Sequence, residues 1–300
     1  MEQFEIINGE CKVPVGVDTI ETETFNGRTD LIEITIPGTV RFIAENAFKG
    51  CSSLKKVEFL DNDKLLIDVN AFEACTSLES INLPEGIKEI GRYMFLDCSS
   101  LEEIVIPDGV KQIGLHAFSG CSSLSRVSLP ESLERIENDE ETFDGCNLDE
   151  ITIHPANTNY SVEGNCLLSA DGKTLIRGCN DSVIPENVLE IGPNAFSGCK
   201  SLDKIIIPDS VKYIGRNAFE GCTSLKNIVI PKTVEKIYKY AFSGCSSLSV
   251  ITIDKVRTEF DPYYSFRGCP NAKRDGLYND AMDKLATGIK AVEKKIKDTL

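Results

Sequence analysis

The sequence repeats one unit of 23 residues, and this periodicity constrains the fold more than any other feature. The stretch 101–123 starts again at Leu124, and neighbouring frames are 23 or 24 residues apart. The frame also begins at Leu31, Leu54, Leu78, Leu101, Leu202, Leu225 and Leu248. A unit this short cannot bury its own apolar face and does so only by stacking on its neighbours. The chain is therefore expected to fold as a solenoid.

Each unit contains two short extended pieces. It opens with Leu-x-x-Ile-x-Ile, in which Ile104 and Ile106 lie on one face, the pattern of a half-buried strand. Pro107 follows and ends the strand, because proline has no amide hydrogen for a ladder. Residues 110–114 read Val-x-x-Ile-Gly and predict a second strand. The segment Ala-Phe-x-Gly-Cys is expected to close the coil as a short helical or 3₁₀ turn.

Stacking in register places equivalent side chains in ladders along the solenoid. Ten of the 14 phenylalanines share one repeat position and are predicted to form the core spine. They are Phe25, Phe48, Phe72, Phe95, Phe118, Phe143, Phe196, Phe219, Phe242 and Phe266.

Nine of the 12 cysteines form a second ladder, three residues after these phenylalanines. They are Cys51, Cys75, Cys98, Cys121, Cys146, Cys199, Cys222, Cys245 and Cys269. We interpret them as small buried hydrophobes, because no Cys-x-x-Cys pair is present and only His116 and His154 could assist a metal. Cys11, Cys166 and Cys179 lie outside this ladder and are not assigned.

The repeat predicts one solenoid over residues 1–272, of about eleven coils including a degenerate first unit at 8–30. An interruption near 154–178 contains Asp171-Gly172 between apolar runs, which indicates a hairpin. Residues 273–300 form a separate linker and amphipathic helix. Its apolar stripe is Met282, Leu285, Ile289, Val292 and Ile296. Three roles for 279–300 stay open: a helix capping the solenoid, a helix for self-association or docking, and a frayed tail.

Charge and motifs exclude several function classes. The net charge is −15, and residues 273–300 carry +2, so residues 1–272 carry −17, which disfavours nucleic acid or an anionic membrane as partner. The sequence has no apolar run of 18 residues and no basic-apolar leader, which predicts a soluble chain without membrane insertion. It also lacks nucleophile–base sets, phosphate loops and the H-E-x-x-H motif. We predict no catalytic residue, no metal site and no cofactor.

The frame Leu-x-x-Ile-x-Ile-Pro-x-x-Val-x-x-Ile-Gly-x-x-Ala-Phe-x-Gly-Cys closely resembles the BspA-like, or Treponema-type, leucine-rich repeats over residues 8–272. The resemblance implies a right-handed α/β solenoid with a parallel sheet on its concave face. It also implies a non-enzymatic interaction protein without shared catalytic residues, exposed at the cell surface or secreted. Since no secretion signal or anchor is visible, a cytoplasmic location stays open.

Specificity should come from side chains that point outward from the strands, at the third and fifth positions of each hexad. Val183, Ile206 and Val229 align on three consecutive coils, beside Lys204 and Asn227. We name Val183, Ile206 and Val229 the apolar strip. An exposed apolar strip with a polar rim is typical of a contact surface. The alternative is that β-branched residues are present for strand propensity alone.

The leading hypothesis is therefore a non-enzymatic module that binds a protein partner through this face. The alternative hypothesis is a structural subunit docked into a larger assembly through its C-terminal helix. Carbohydrate binding is less well supported, because the chain has no Trp and no exposed aromatic residues are expected along the sheet.

Overall fold

The computed structural model describes residues 4–61, 64–137, 139–253, 258–270 and 273–274. They form a β-solenoid of about ten turns with parallel sheets and almost no helix, against about eleven coils expected. Each regular turn supplies up to two short strands. These strands form two rows along the solenoid, which we call the first and second strand rows.

The first strand row comes from the Leu-x-x-Ile-x-Ile hexads. Its strands are β1 Glu10–Lys12, β3 Glu33–Ile36, β5 Lys56–Phe59, β8 Glu103–Val105, β10 Arg126–Leu129, β12 Glu150–Ile153, β18 Asn227–Val229, β20 Val250–Thr252 and β21 Lys273–Arg274. They pair in parallel as three sheets, β1-β3-β5, β8-β10-β12 and β18-β20-β21. Ile34 lies opposite Val57 and Val127 lies opposite Ile151, so the pairing keeps the repeat in register.

The second strand row comes from the Val-x-x-Ile segments. Its strands are β2 Thr19–Ile20, β4 Phe42–Ile43, β6 Leu66–Ile67, β7 Glu89–Ile90, β9 Gln112–Ile113, β11 Arg135–Ile136, β16 Glu190–Ile191, β17 Tyr213–Ile214 and β19 Lys236–Ile237. Each ends in a buried isoleucine that faces the core. Between the two rows the chain turns at proline: the Pro107 carbonyl, for example, accepts from the Val110 amide at 3.3 Å.

The Ala-Phe-x-Gly-Cys corner is not helical, and the expected helical or 3₁₀ turn is wrong. Alternate amides donate to the neighbouring coil, as from Phe48 N to the Ala71 carbonyl at 2.9 Å, while those between them close separate turns, as from Cys51 N to the Phe48 carbonyl at 3.1 Å. No continuous helical series of hydrogen bonds therefore forms. Asn46 and Gly50 have φ of 60° and 71°, which a right-handed helix does not allow. Within the described residues helix is limited to α1 Asp139–Thr142 and α2 Pro262–Ser265.

The phenylalanine ladder is confirmed as the core spine. All ten rings are at least 97% buried, and on each side of the interruption successive rings stack nearly parallel. The centroids of Phe25, Phe48 and Phe72 are 5.1 Å apart, with interplanar angles of 6° and 2°. At the N-terminal end Phe4 continues the stack on Phe25 at 5.4 Å. The ladder spacing therefore follows the spacing of neighbouring strands in a sheet.

The interruption is an antiparallel sheet inserted into the parallel array. It consists of β13 Tyr160–Glu163, β14 Cys166–Ser169 and β15 Thr174–Gly178, and β14 and β15 turn around Asp171 and Gly172 as the sequence predicts. β15 then pairs in parallel with β16, which returns the chain to the repeat.

Gly178 takes the ladder position between Phe143 and Phe196. Its amide donates to the Ala195 carbonyl at 2.8 Å, the bond that Phe219 makes with Ala241 one coil further on. A Cβ atom at Gly178 would overlap the Phe196 ring. The core correspondingly divides into two clusters near this point, one on each side of the interruption.

Arg177 fills the joint between these two clusters. Its side chain is 2% exposed, and its guanidinium donates to the carbonyls of Cys146 at 2.6 Å, Ser197 at 2.9 Å and Asn194 at 3.0 Å. Three carbonyl acceptors compensate for much of the lost hydration of the charge. The two clusters are therefore joined by hydrogen bonds to one buried cation.

The predicted C-terminal helix over 279–300 lies outside the described residues. The same holds for most of the proposed linker from residue 273, of which only β21 is described. The division of the chain at residue 272 stays a prediction.

We predict that Phe118→Ala and Phe219→Ala each lower the free energy of unfolding by about 3–5 kcal/mol, because each leaves a cavity inside the ladder. Equilibrium urea unfolding measures both changes. Val105→Ala, at a position that is 65% exposed, is the control and should change stability by less than about 0.5 kcal/mol. A loss below about 1 kcal/mol for either Phe variant would mean that the ladder is not the main core.

A second prediction concerns the corner glycine of the repeat. Gly221 occupies this position with φ of 69°, whereas the equivalent Ala74 is forced to φ of 57°. Ala74→Gly should raise the free energy of unfolding by about 1 kcal/mol, because a left-handed conformation disfavours any Cβ. Gly221→Ala is the matched reverse change, since a Cβ there meets no atom within 4 Å. It should lower stability by a similar amount, and equal stability of all three proteins would contradict the argument.

Candidate functional site

The apolar strip points to solvent, as the predicted alternation of faces requires. Ile206 is 85% exposed, Val183 71% and Val229 63%, whereas the intervening Ile205 and Ile228 are buried. These three are among the most exposed large apolar side chains of the described residues. Lys204 and Asn227 are exposed beside them. The five residues of the predicted site thus share one face of the solenoid.

The strip is held by different local structures in its three coils. Val229 ends strand β18, but Val183 and Ile206 lie in segments outside the strands, contrary to the expectation that all three are strand residues. The Val183 amide donates to the Gly164 carbonyl of the inserted sheet at 2.8 Å. This bond takes the place of a ladder bond with a regular neighbouring coil. The interruption therefore positions one end of the strip.

The same face has a different character in the N-terminal half. There the outward positions of the hexads are charged or polar, with the exception of Val105. Arg126 and Glu103 of neighbouring coils form an ion pair at 2.7 Å, and Lys56 and Glu58 within β5 approach to 3.7 Å. Val105 is an exposed valine among these polar residues. The outward positions are thus mostly polar in the N-terminal half and apolar in the strip.

Val250 adjoins the strip on the next coil. It is 44% exposed and pairs with Asn227 across β18 and β20, which places it diagonal to Val229. Val250 occupies the third hexad position and the strip residues the fifth, so the repeat alone does not place them together. The pairing register of β18 and β20 shows that they are neighbours.

A second exposed feature lies at the second strand row, whereas the expectation of no exposed aromatic residues concerned the sheet of the first strand row. Tyr213 is 38% exposed and Tyr238 42%. The Lys236 ammonium lies 5.2 Å from the centroid of the Tyr238 ring. Tyr238 occupies the repeat position at which the preceding coil has Gly215. This departure from the repeat frame was the sequence feature that could have indicated the exposed tyrosine.

The ladder cysteines make a contact that the sequence analysis missed. Eight of the nine Sγ atoms donate to the carbonyl of the ladder phenylalanine one coil earlier, as from Cys51 to Phe25 at 2.9 Å and from Cys98 to Phe72 at 3.1 Å, and Cys199 donates to Gly178, which takes the ladder position there. Burial raises the pKa of the Cys98 thiol to about 12. Burial also raises the pKa of Cys199 to about 11, against a smaller lowering by the Arg177 cation. These thiols are hydrogen-bond donors within the core, and burial disfavours the thiolate form.

The two histidines lie in different environments. The His116 ring stacks on Tyr93 at 5.4 Å, and its Nε2 is 3.2 Å from a Glu141 oxygen. His154 accepts a hydrogen bond from the Ala156 amide at 3.3 Å. Across the described segments no three His, Cys, Asp or Glu side chains form a group able to hold a metal ion. Those segments also contain no helix with the length and apolar character needed to cross a bilayer.

Comparison with known families gives one extensive match. Residues 9–102, 60–168 and 177–275 match the BspA type leucine rich repeat region, in six copies. The matched segments include every coil that carries the apolar strip. A search among curated proteins gives no match.

Several solved structures have the same fold. A leucine rich cell surface protein from Faecalibacterium prausnitzii is 26% identical with a TM-score of 0.62, covering 88% of this chain and 86% of its own. The pneumococcal vaccine antigen PcpA is 23% identical with a TM-score of 0.64, covering 80% and 70%. A leucine-rich repeat protein from Eubacterium ventriosum is 23% identical with a TM-score of 0.62, covering 88% and 65%.

We predict that the ladder thiols react slowly with an alkylating reagent in the native protein, because they are buried and neutral. Intact-mass analysis after labelling at pH 8 should show the nine unmodified, whereas labelling in urea should modify all twelve cysteines.

The raised pKa of the buried thiols also predicts that stability depends on pH. Unfolded thiols ionise near 9.0 while native ones such as Cys98 stay neutral, so the free energy of unfolding should fall as the pH rises above 9.0. Rapid native labelling of several ladder thiols would contradict both expectations.

Proposed function

Because the chain belongs to the family of BspA-type leucine-rich repeat proteins, we propose that it is a non-enzymatic interaction module whose apolar strip binds a protein partner. Lys204 and Asn227 supply the polar rim of this site. The strip lies on the face of the hexads, which the family resemblance places on the concave side of the solenoid. A location at the cell surface or outside the cell accompanies the proposal, since the Faecalibacterium prausnitzii relative is described as a cell surface protein.

The exposure of the apolar strip is the observation that carries this proposal. Ile206 is 85% exposed and its apolar neighbours in the strip are exposed as well, although most other coils carry polar residues at the equivalent position: Thr35, Glu58, Asn82, Ser128, Thr152 and Thr252. Strand propensity alone would distribute such side chains over the whole face. Their concentration in three consecutive coils, next to Val250, favours a contact surface with an apolar centre and a polar rim.

The stacked core also favours binding at this place. The residues that flank the strip side chains, such as Ile205 and Ile228, are buried and fix the backbone beneath them. A partner therefore meets side chains whose positions are already set, so that little conformational entropy is lost on binding. The short branched side chains of valine and isoleucine lose less rotamer freedom than long polar ones.

The test is the double variant Ile206→Asp/Val229→Asp. Its capture of partner proteins from an extract of host cells should be at least about tenfold weaker than that of the parent protein, because binding would bury two unpaired carboxylates. The melting temperature should change by less than about 2 °C, since both positions are exposed. Quantitative mass spectrometry of the captured proteins and thermal unfolding provide the two readouts.

Val105→Asp is the matched control, because it places the same charge at the equivalent repeat position of the other half. Proteins captured by the parent chain and by Val105→Asp but lost from the double variant are partners of the strip. Unchanged capture by a folded double variant would place the binding surface elsewhere. Unfolding of the double variant would mean that these side chains belong to the core.

A further inference from the structure

A groove on the second strand row brings tyrosines and cations together, away from the apolar strip. It has a volume of about 670 Å³ and runs along β19 to the segment before α2. Five of the eight tyrosines of the chain lie between residues 213 and 264, so aromatic side chains are concentrated in this part of the solenoid. We call it the tyrosine groove, and its central lining residues are Arg216, Lys236, Tyr238, Lys239 and Tyr240.

Two of its tyrosines replace smaller residues of the repeat frame. Tyr238 occupies the position of Gly215 in the preceding coil, and Tyr240 occupies that of Asn217. The φ of Tyr240 is 64°, a left-handed conformation that asparagine adopts more readily than a bulky side chain does. A strained residue at a position where the frame has a less strained one is typical of a functional site.

The packing of Tyr240 differs from that of the aromatic residues at its repeat position elsewhere. Tyr93 and His116 also replace asparagine there, and their rings stack face to face at 5.4 Å. Tyr240 instead meets Tyr264 of the next coil edge-on, with centroids 5.4 Å apart. Tyr238 beside it is 42% exposed. The two tyrosines of the groove thus do not cover each other in a face-to-face stack.

Two cations of the groove have no anionic partner in the described part of the chain. Arg216 and Lys239 occupy the same repeat position on consecutive coils, and both are exposed. Neither forms an ion pair with a described residue, and Glu220, whose carboxyl is affected by the Arg216 charge, is not within ion-pair distance. The Lys239 ammonium lies 5.0 Å from the centroid of the Tyr264 ring. Since like charges on neighbouring coils repel, an anion bound beside both would relieve this repulsion.

The carboxylates at the groove are already engaged. Glu259 Oε1 lies 2.9 Å from Lys236 Nζ, and Asp261 caps α2 by accepting from the Tyr263 amide at 3.0 Å. Three basic and two acidic side chains line the groove, a local charge of +1 on a chain whose net charge is −15. The ion pair and the helix cap leave Arg216 and Lys239 to bind an external anion.

A sugar with a carboxylate suits this combination of groups. Tyrosine rings offer apolar faces with a polar edge, and cations form charge-assisted hydrogen bonds with a carboxylate. Glu259 and Asp261 offer further acceptor oxygens for hydroxyl groups. A peptide rich in aspartate and glutamate would meet these two carboxylates as like charges. The volume of about 670 Å³ is within the usual range of small-ligand sites.

We propose that the tyrosine groove binds an oligosaccharide that carries a carboxylate, from either a sialic or a uronic acid. Arg216 and Lys239 bind the carboxylate, and Tyr238 and Tyr240 pack against the sugar rings. This site is separate from the apolar strip and does not depend on the protein partner proposed for it.

Saturation-transfer NMR titrations of the full chain test the ligand class. Sialyllactose or digalacturonic acid should bind at least about tenfold more tightly than lactose, which lacks the carboxylate. Whichever acidic sugar binds identifies the source of the carboxylate. Absence of binding by both, or affinities equal to that of lactose, would overturn the proposal. Tighter binding of tetraglutamate than of either acidic sugar would assign the groove to acidic peptides and also overturn it.

Removing the two cations tests where the carboxylate binds. Arg216→Gln/Lys239→Gln should weaken binding of the acidic sugar about tenfold and leave lactose unaffected. Lys226→Gln/Lys232→Gln is the matched control, because it removes the same charge from exposed positions outside the groove. Its affinity should stay within about twofold of that of the parent chain. Equal weakening by both double variants would show general electrostatic attraction and overturn the proposal.

Replacing the exposed ring tests the aromatic contact. Tyr238→Ala should weaken binding of the acidic sugar about fivefold, because the apolar face is lost. Its melting temperature should change by less than about 2 °C, since Ala44 occupies the equivalent position of another coil. Tyr238→Phe keeps the ring and should bind within about twofold of the parent chain. Equal losses in the two variants, or full binding by Tyr238→Ala, would exclude the ring contact and overturn this assignment of the groove.

Discussion

Stacking at one corner of the coil supports the rest of the structure. Three contacts recur there at nearly every turn: ring on ring between ladder phenylalanines, a Phe amide to an alanine carbonyl of the next coil, and a cysteine thiol to the preceding Phe carbonyl. The ring spacing of 5.1 Å is close to the strand spacing of about 4.8 Å, so this corner and the two strand rows share one pitch. Strands of two to four residues are stable here because the corner holds their neighbours in place.

Because the corner contacts stabilise the coil, the residues of the outer face can vary. The core positions of each coil are nearly invariant within the chain, while the outward positions run from charged residues such as Glu103 and Arg126 to apolar ones such as Ile206. Since outward residues add little to the core, one half of the face can acquire an apolar strip without loss of stacking. Exposed, variable residues and buried core residues thus occupy alternating positions of the same segments.

Periodic features were predictable from the sequence and aperiodic ones were not. The Phe ladder, the inward isoleucines and the outward strip follow from a period of two within strands and 23 between coils. The corner was wrongly expected to be helical, because every second amide there binds the adjacent coil, which no local pattern reveals. Gly178 and Arg177 were not predicted because the interruption breaks the repeat frame, and an isolated arginine is usually a surface residue. The position of Val250 beside the strip followed only from the strand register.

Arg177 also has a consequence for how the chain finds its fold. Coils with nearly the same sequence can in principle stack on the wrong neighbour, displaced by one whole unit, with most apolar contacts kept. The buried guanidinium of Arg177 marks the joint of the observed stack, where the carbonyls of Cys146, Ser197 and Asn194 all accept hydrogen bonds from it. A displacement that separated these acceptors from the guanidinium would leave a buried cation without partners, which is costly. Among the described coils this joint is therefore distinguished by a charge as well as by its shape.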